Sequence, residues 1–171
     1  MKQVLIDYMK NGPFDEVYTP EYAIAPLLKY IPKDKIIWEC TDFGKSNITK
    51  VLRENGYKVI ATHKSSLDFL KDDPEFEYDI IITNPPYSLK DEFIERCYAT
   101  KKPFCLLLPL TALEGQRRGK LYRQYGISVI VNDQRINFIG GKSCWFNASW
   151  FCFNIIPNNM LIFEKLQKGG K

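Results

Sequence analysis

Histidine is almost absent from this chain: His63 is the only one. The five cysteines (Cys40, Cys97, Cys105, Cys144 and Cys152) are odd in number and include no C-x-x-C pair. Zinc sites draw on closely spaced cysteine and histidine, so this composition argues against one, and no bound metal is expected. The thiols read as reduced and mostly buried. Long apolar runs are missing too. None approaches the roughly 20 residues of a membrane-spanning helix. Residues 1–12 carry Asp7 and no long apolar core, which is unlike a secretory leader. A soluble, cytoplasmic protein without a membrane partner is the expectation. Glycine is scarce where a phosphate loop needs it. Gly44-Lys45-Ser46 has Glu39 at the position of the earlier glycine, and Gly141-Lys142-Ser143 has Ile136 there, which excludes a nucleoside triphosphatase. Asp42-Phe43-Gly44 lacks every other kinase element.

What is present is enough for a real core. The chain has 171 residues, 45% of them hydrophobic, so it is neither disordered nor fibrous. It reads as a single domain over 1–171, with 1–13 and 165–171 expected as flexible ends. The net charge of +4 is compatible with nucleic acid without demanding it. No internal repeat, low-complexity tract or second domain is visible.

The most informative stretch is Asp79-Ile80-Ile81-Ile82-Thr83-Asn84-Pro85-Pro86-Tyr87. Three isoleucines in a row suit a short strand covered on both faces. Pro85 and Pro86 cannot donate to a sheet ladder, so the strand ends at Asn84. The product is a stiff loop at the carboxyl end of a strand, where open α/β sheets place their ligands. Asn84 offers an amide oxygen and Pro85 a carbonyl without a strand partner, a pair that accepts both hydrogens of an exocyclic amine. Tyr87 offers a flat face for a planar group. The plainer reading is a proline-stiffened turn with a packing tyrosine.

Around this stretch the chain alternates strands and helices. Residues 14–31 read as a helix with Thr19 as N-cap, Pro20 and Glu21 in the first turn, and a break at Pro26. A strand over 35–39, a turn over 40–46, a helix over 47–55 closed by Gly56, and a strand over 57–62 form a βαβ start. A helix over 88–100, capped by Ser88, and an apolar strand over 104–108 follow the Asn-Pro-Pro-Tyr loop. The segment 114–125 is basic, with Arg117, Arg118, Lys120 and Arg123. It reads either as a solvated helix face or as a set of phosphate contacts. Strands at 127–132 and 149–156 flank a loop of alternating polar, aromatic and glycine residues that holds Lys142, Trp145 and Phe146. This loop reads as a cover with a stacking aromatic, or as a connection with buried aromatics. The fold class is therefore α/β: a mostly parallel sheet with helices on both faces and an antiparallel strand near the carboxyl end.

Asn84-Pro85-Pro86-Tyr87 after an apolar strand resembles the catalytic motif of S-adenosylmethionine-dependent amino-methyltransferases. The likeness is strongest to the small, phage- or prophage-type adenine-N6 DNA methyltransferases. The element order from about residue 18 to 157 is similar to the class I methyltransferase fold, a Rossmann-like fold. The resemblance implies catalysis by Asn84, Pro85, Pro86 and Tyr87, S-adenosyl-L-methionine as cofactor, and adenine in DNA as acceptor. RNA adenine or a protein glutamine amide are open alternatives, as is a homo-oligomer. It further implies that Tyr18, Thr19 and Pro20 lie against the methionine end of the cofactor. Glu39, Asp42, His63, Asp68 and Asn84 complete the implied cofactor set, and Arg117, Arg118, Lys120, Arg123, Lys142, Trp145 and Phe146 the nucleic-acid set. Asp68 also reads as a cap for residues 69–71, and His63 as a structural or surface residue. The sequence departs from the family at two points. Its first turn, Cys40-Thr41-Asp42-Phe43-Gly44-Lys45-Ser46, has one glycine where the family has several. The strand ending Ala61-Thr62-His63 lacks the acidic residue that grips a cofactor ribose. Both departures keep open a non-catalytic protein that binds nucleic acid or a partner.

Overall fold

The computed structural model describes residues 18–138 and 146–168. Lys142 and Trp145 lie outside them, as do Cys144 and the ends at 1–17 and 169–171.

Seven strands among the described residues form one sheet: β1 (Ile36–Glu39), β2 (Lys58–Ala61), β3 (Ile80–Thr83), β4 (Phe104–Pro109), β5 (Ser128–Asn132), β6 (Ala148–Phe153) and β7 (Leu161–Glu164). Their order is β2-β1-β3-β4-β6-β5-β7. β1 pairs in parallel with β2 and β3, β3 with β4, and β5 with β7. β6 alone runs against its neighbours, β4 and β5. The helices are α1 (Ala25–Leu28), α2 (Asn47–Glu54), α3 (Lys90–Ala99) and α4 (Gln116–Tyr125).

Alternation along each central strand sorts its residues between two cores. Ile37, Ile80, Ile82, Cys105, Leu107, Trp150 and Cys152 face the core that holds Leu27 of α1 and Ile48, Val51 and Leu52 of α2. Trp38, Ile81, Phe104, Leu106, Leu108, Phe151 and Phe153 face the other, with Phe93, Ile94, Cys97 and Tyr98 of α3. The isoleucine run of β3 is thus buried on both faces, and each such side chain contributes about 1.5–3 kcal/mol relative to exposure. Helices lie on both sides, so the fold class read from the sequence holds.

Several local expectations need correction. Residues 18–31 do not form one helix. A 3₁₀ turn at Glu21–Ala23 is followed by α1, and Thr19 makes no cap, because Pro20 holds the N-cap position without a side-chain bond. The prolines at 20 and 26 remove the N–H groups a longer helix would use. Ser88 sits inside a 3₁₀ turn at Tyr87–Leu89, and α3 begins at Lys90 without a side-chain cap. The strand at 148–153 is not the last: β7 follows it and adds to the sheet beyond β5. Beyond β7, Leu166 is buried and donates its N–H to Asp133 Oδ1 at 2.8 Å. No helix among the described residues is long and apolar enough to cross a membrane.

Candidate active site

The carboxyl ends of β1, β2 and β3 open on a cavity of ≈ 330 Å³, within the range of small-molecule sites. Phe43, Ile48, Phe69, Leu70 and Phe93 supply apolar walls, and Thr19, His63, Lys64, Asp68 and Asn84 supply polar groups. Of the residues singled out for a cofactor, Tyr18, Thr19, Glu39, His63, Asp68 and Asn84 line it; Pro20 and Asp42 do not.

The turn after β1 is built by side chains rather than by glycines. Asp42 Oδ1 accepts from Gly44 N at 2.6 Å and from Ser46 N at 3.1 Å, and Oδ2 accepts from Thr49 Oγ1 at 2.6 Å. Burial opposes the charge on Asp42, but the bonds from Thr49, Gly44 and Ser46 outweigh it and hold the carboxyl below its usual range. The carboxylate is committed to the turn. Gly44 takes φ +106, a conformation that L side chains rarely adopt, and a Cβ there would meet open space. Ser46 N-caps α2 by accepting from Ile48 N at 3.2 Å.

Glu39, at the end of β1, is 1% exposed. Its Oε1 accepts from Thr41 N (3.0 Å), Thr41 Oγ1 (3.0 Å) and Thr83 Oγ1 (2.6 Å), and its Oε2 from Ser46 Oγ (2.7 Å). Burial pushes its carboxyl up, against the pull of the bonds from Thr83, Ser46 and Thr41. Thr41, Ser46 and Thr83 were not singled out from the sequence. The signal was there: a strand-end glutamate followed by a hydroxyl-rich turn.

The loop after β3 runs along the cavity's edge. Asn84 and Pro86 line it, whereas Pro85 and Tyr87 do not. Asn84 Nδ2 donates to Thr19 Oγ1 at 3.1 Å, and Asn47 Nδ2 donates to Thr19 O at 2.8 Å. Thr19 therefore joins the loop to the first helical layer. Tyr87 packs edge-on against Phe146, with ring centroids 5.7 Å apart. The sequence singled out both rings without linking them.

At the far wall, Asp68 accepts from Leu70 N at 3.1 Å and pairs with Lys71 at 3.0 Å. The bond from Lys71 draws its carboxyl below the usual range. His63 Nδ1 meets Ser65 Oγ at 3.0 Å, and Phe43 lies between Tyr18 (4.7 Å) and His63 (6.1 Å). The cavity offers apolar walls and polar groups to a small molecule with a flat ring and polar arms.

The basic segment lies on α4, and two of its arginines pair with carboxylates of α3. Arg117 forks onto Glu95 and lies 3.6 Å from Glu92. Arg118 pairs with Asp91 and donates to the Ala112 and Glu114 carbonyls. Lys120 and Arg123 are exposed.

No family model matches the chain, and no curated protein matches it. Solved structures do. A Listeria monocytogenes structure assigned to the class I S-adenosylmethionine-dependent methyltransferases aligns with a TM-score of 0.59 at 14% identity, covering 98% of this chain and 71% of that one. The methyltransferase subunit of a type I restriction-modification system from Streptococcus thermophilus aligns with a TM-score of 0.54 at 14% identity, covering 91% of this chain and 49% of that one. This chain thus spans about half the length of the Streptococcus subunit. At such identities the likeness is one of fold, and the fold is that of the class I methyltransferases.

Proposed function

We propose that this chain is an S-adenosylmethionine-dependent N-methyltransferase acting on the exocyclic amine of adenine in DNA. The observation that carries this reading is the position of Asn84. It stands at the carboxyl end of a central strand, on the rim of the cavity, with its amide held by Thr19 at 3.1 Å. In this reading that bond positions the amide and Oδ1 is the acceptor. Asn84 Oδ1 and the Pro85 carbonyl accept the two amine hydrogens, which orients the nitrogen lone pair. Pro85 and Pro86 keep these acceptors stiff, so little reorganisation is needed. Tyr87, backed by Phe146, stacks on the extruded base, whose unstacking costs a few kcal/mol. Tyr18 and Thr19 hold one end of the cofactor, Asp68 and Phe69 its planar end, and His63 its hydroxyls. The bound cofactor supplies an electrophilic methyl group on its sulfonium. Lys120 and Arg123 are the phosphate contacts this reading favours, since Arg117 and Arg118 are spent on α3.

A second reading is a methyltransferase fold retained for binding alone. The commitment of Asp42 to its own turn, and the lack of an acidic residue at the end of β2, favour it. Calorimetric titration with S-adenosylmethionine and S-adenosylhomocysteine separates the two, followed by transfer of a labelled methyl group to unmethylated DNA and to the same DNA already N6-methylated at adenine. Micromolar binding with label only on the unmethylated DNA is expected. No binding at millimolar cofactor supports the second reading, and label on both DNAs moves the acceptor away from the adenine amine.

A further inference from the structure

Glu39 accepts from hydroxyls and a backbone amide, and no lysine, arginine or histidine among the described residues bonds to it. The titratable groups nearby are Cys40 beside it, Asp42 in the same turn, and Tyr18, His63, Lys64, Asp68 and Lys71 along the same cavity. An ionised carboxylate so deeply buried normally has a cation or pays heavily for lacking one.

A count of protons sharpens the point. Glu39 Oε1 lies 2.6 Å from Thr83 Oγ1 and 3.0 Å from Thr41 Oγ1, and those two hydroxyls lie 2.6 Å from each other. The three oxygens form a closed triangle. Two hydroxyls bring only two protons to three contacts. With Glu39 ionised, at most two sides of the triangle carry a proton, and the remaining side sets lone pair against lone pair. A third proton, on Glu39, removes the conflict. Oε1–H then donates to Thr83, Thr83 donates to Thr41, and Thr41 shares its proton between Oε1, at 3.0 Å, and the Asn84 carbonyl, 3.4 Å away. Ser46 still donates to Oε2.

We infer that Glu39 is a neutral carboxylic acid that starts a chain of hydroxyls, through Thr83 and Thr41, ending on the backbone of Asn84. The upward push of burial on the Glu39 carboxyl agrees with this. Glu39 is then a positioning residue: it touches no reacting atom and sets the seat of the loop that does. The positioning part rests on the methyltransferase reading; the protonation state does not.

Glu39→Gln is the informative variant, since glutamine keeps an acceptor and a donor and cannot ionise. Infrared difference spectra of the full chain at neutral pH, wild type minus Glu39→Gln, are expected to contain a carboxylic-acid C=O stretch. Carboxylate bands in its place overturn the inference. In the transfer assay, Glu39→Ala is expected to lower kcat at least tenfold, and Glu39→Gln to recover kcat to within about threefold. A Glu39→Gln enzyme as slow as Glu39→Ala overturns the positioning role. A wild type that transfers no methyl group defeats the functional reading instead, and the infrared result still decides the state of Glu39.

Discussion

The turn after β1 and the loop after β3 lie side by side on the same cavity and reach rigidity by opposite means. The β3 loop is stiff because Pro85 and Pro86 restrict the backbone. The β1 turn is held from outside its own backbone. Asp42 ties together Gly44, Ser46 and Thr49, and Glu39 gathers Thr41, Ser46 and Thr83. A turn with one glycine can therefore still take a defined course when carboxylates replace missing backbone freedom. The difference also matters for change: a proline is a local device, whereas each carboxylate serves several partners at once.

Substitutions can break this contrast. The largest effect is expected at Asn84. Asn84→Ala removes the proposed amine acceptor and is expected to lower kcat roughly a hundredfold or more, with cofactor affinity and melting temperature nearly unchanged, as read by single-turnover kinetics and calorimetry. Next is Asp42→Ala, which strips three bonds from the turn. It is expected to cost about 2–3 kcal/mol in denaturant unfolding and to weaken cofactor binding with it. Gly44→Ala meets open space, so its cost is backbone strain alone, about 1–2 kcal/mol by the same unfolding measurement. Smallest is Pro86→Ala. Pro86 sits at φ -54, close to proline's own angle, so its loss costs about 0.4–1 kcal/mol through the unfolded chain.

Acidity sharpens the contrast inside the β1 turn itself. Asp42 has a lowered pKa in the fold, so its contribution is present above the unfolded value and is lost as pH falls through the folded one. Glu39 has a raised pKa, so its contribution is complete below the unfolded value and is lost as pH rises through the folded one. Melting curves across pH should therefore diverge. Relative to Asp42→Asn, the wild type loses ground in acid; relative to Glu39→Gln, it loses ground as pH rises. A slope of the other sign in either series contradicts the corresponding assignment.

Much of the architecture was legible in the sequence because its strands are short, apolar and bounded by prolines, glycines or charges. Ile80-Ile81-Ile82 before Pro85 had one reading as a strand. β7 was missed: Leu161-Ile162-Phe163-Glu164 lies at a sheet edge with Phe163 74% exposed, so burial gave its sequence no distinctive pattern. In the site, Asn84 could be read because two prolines mark its backbone. The roles of Thr19 and Thr83 could not, because each depends on a residue brought close by folding: Asn84 is 65 positions from Thr19, and Thr83 is 44 from Glu39. The ion pairs of Arg117 and Arg118 were hidden for the same reason, since their carboxylate partners lie on a different helix.

The fastening of residues 18–31 has a kinetic consequence. This segment brings Thr19 to Asn84, yet it is tied down from the far end of the chain. Trp150 Nε1 donates to Ala23 O at 2.8 Å, Tyr22 Oη accepts from Asn137 N at 2.8 Å, and Tyr30 bonds Glu164. Sequence separations above a hundred residues make these among the slowest contacts to form. Thr19, the partner of the Asn84 amide, is thus seated only after segments more than a hundred residues apart have met. Any enzymatic activity in a refolding chain should lag behind the recovery of helix and sheet, and so reports completed folding better than either.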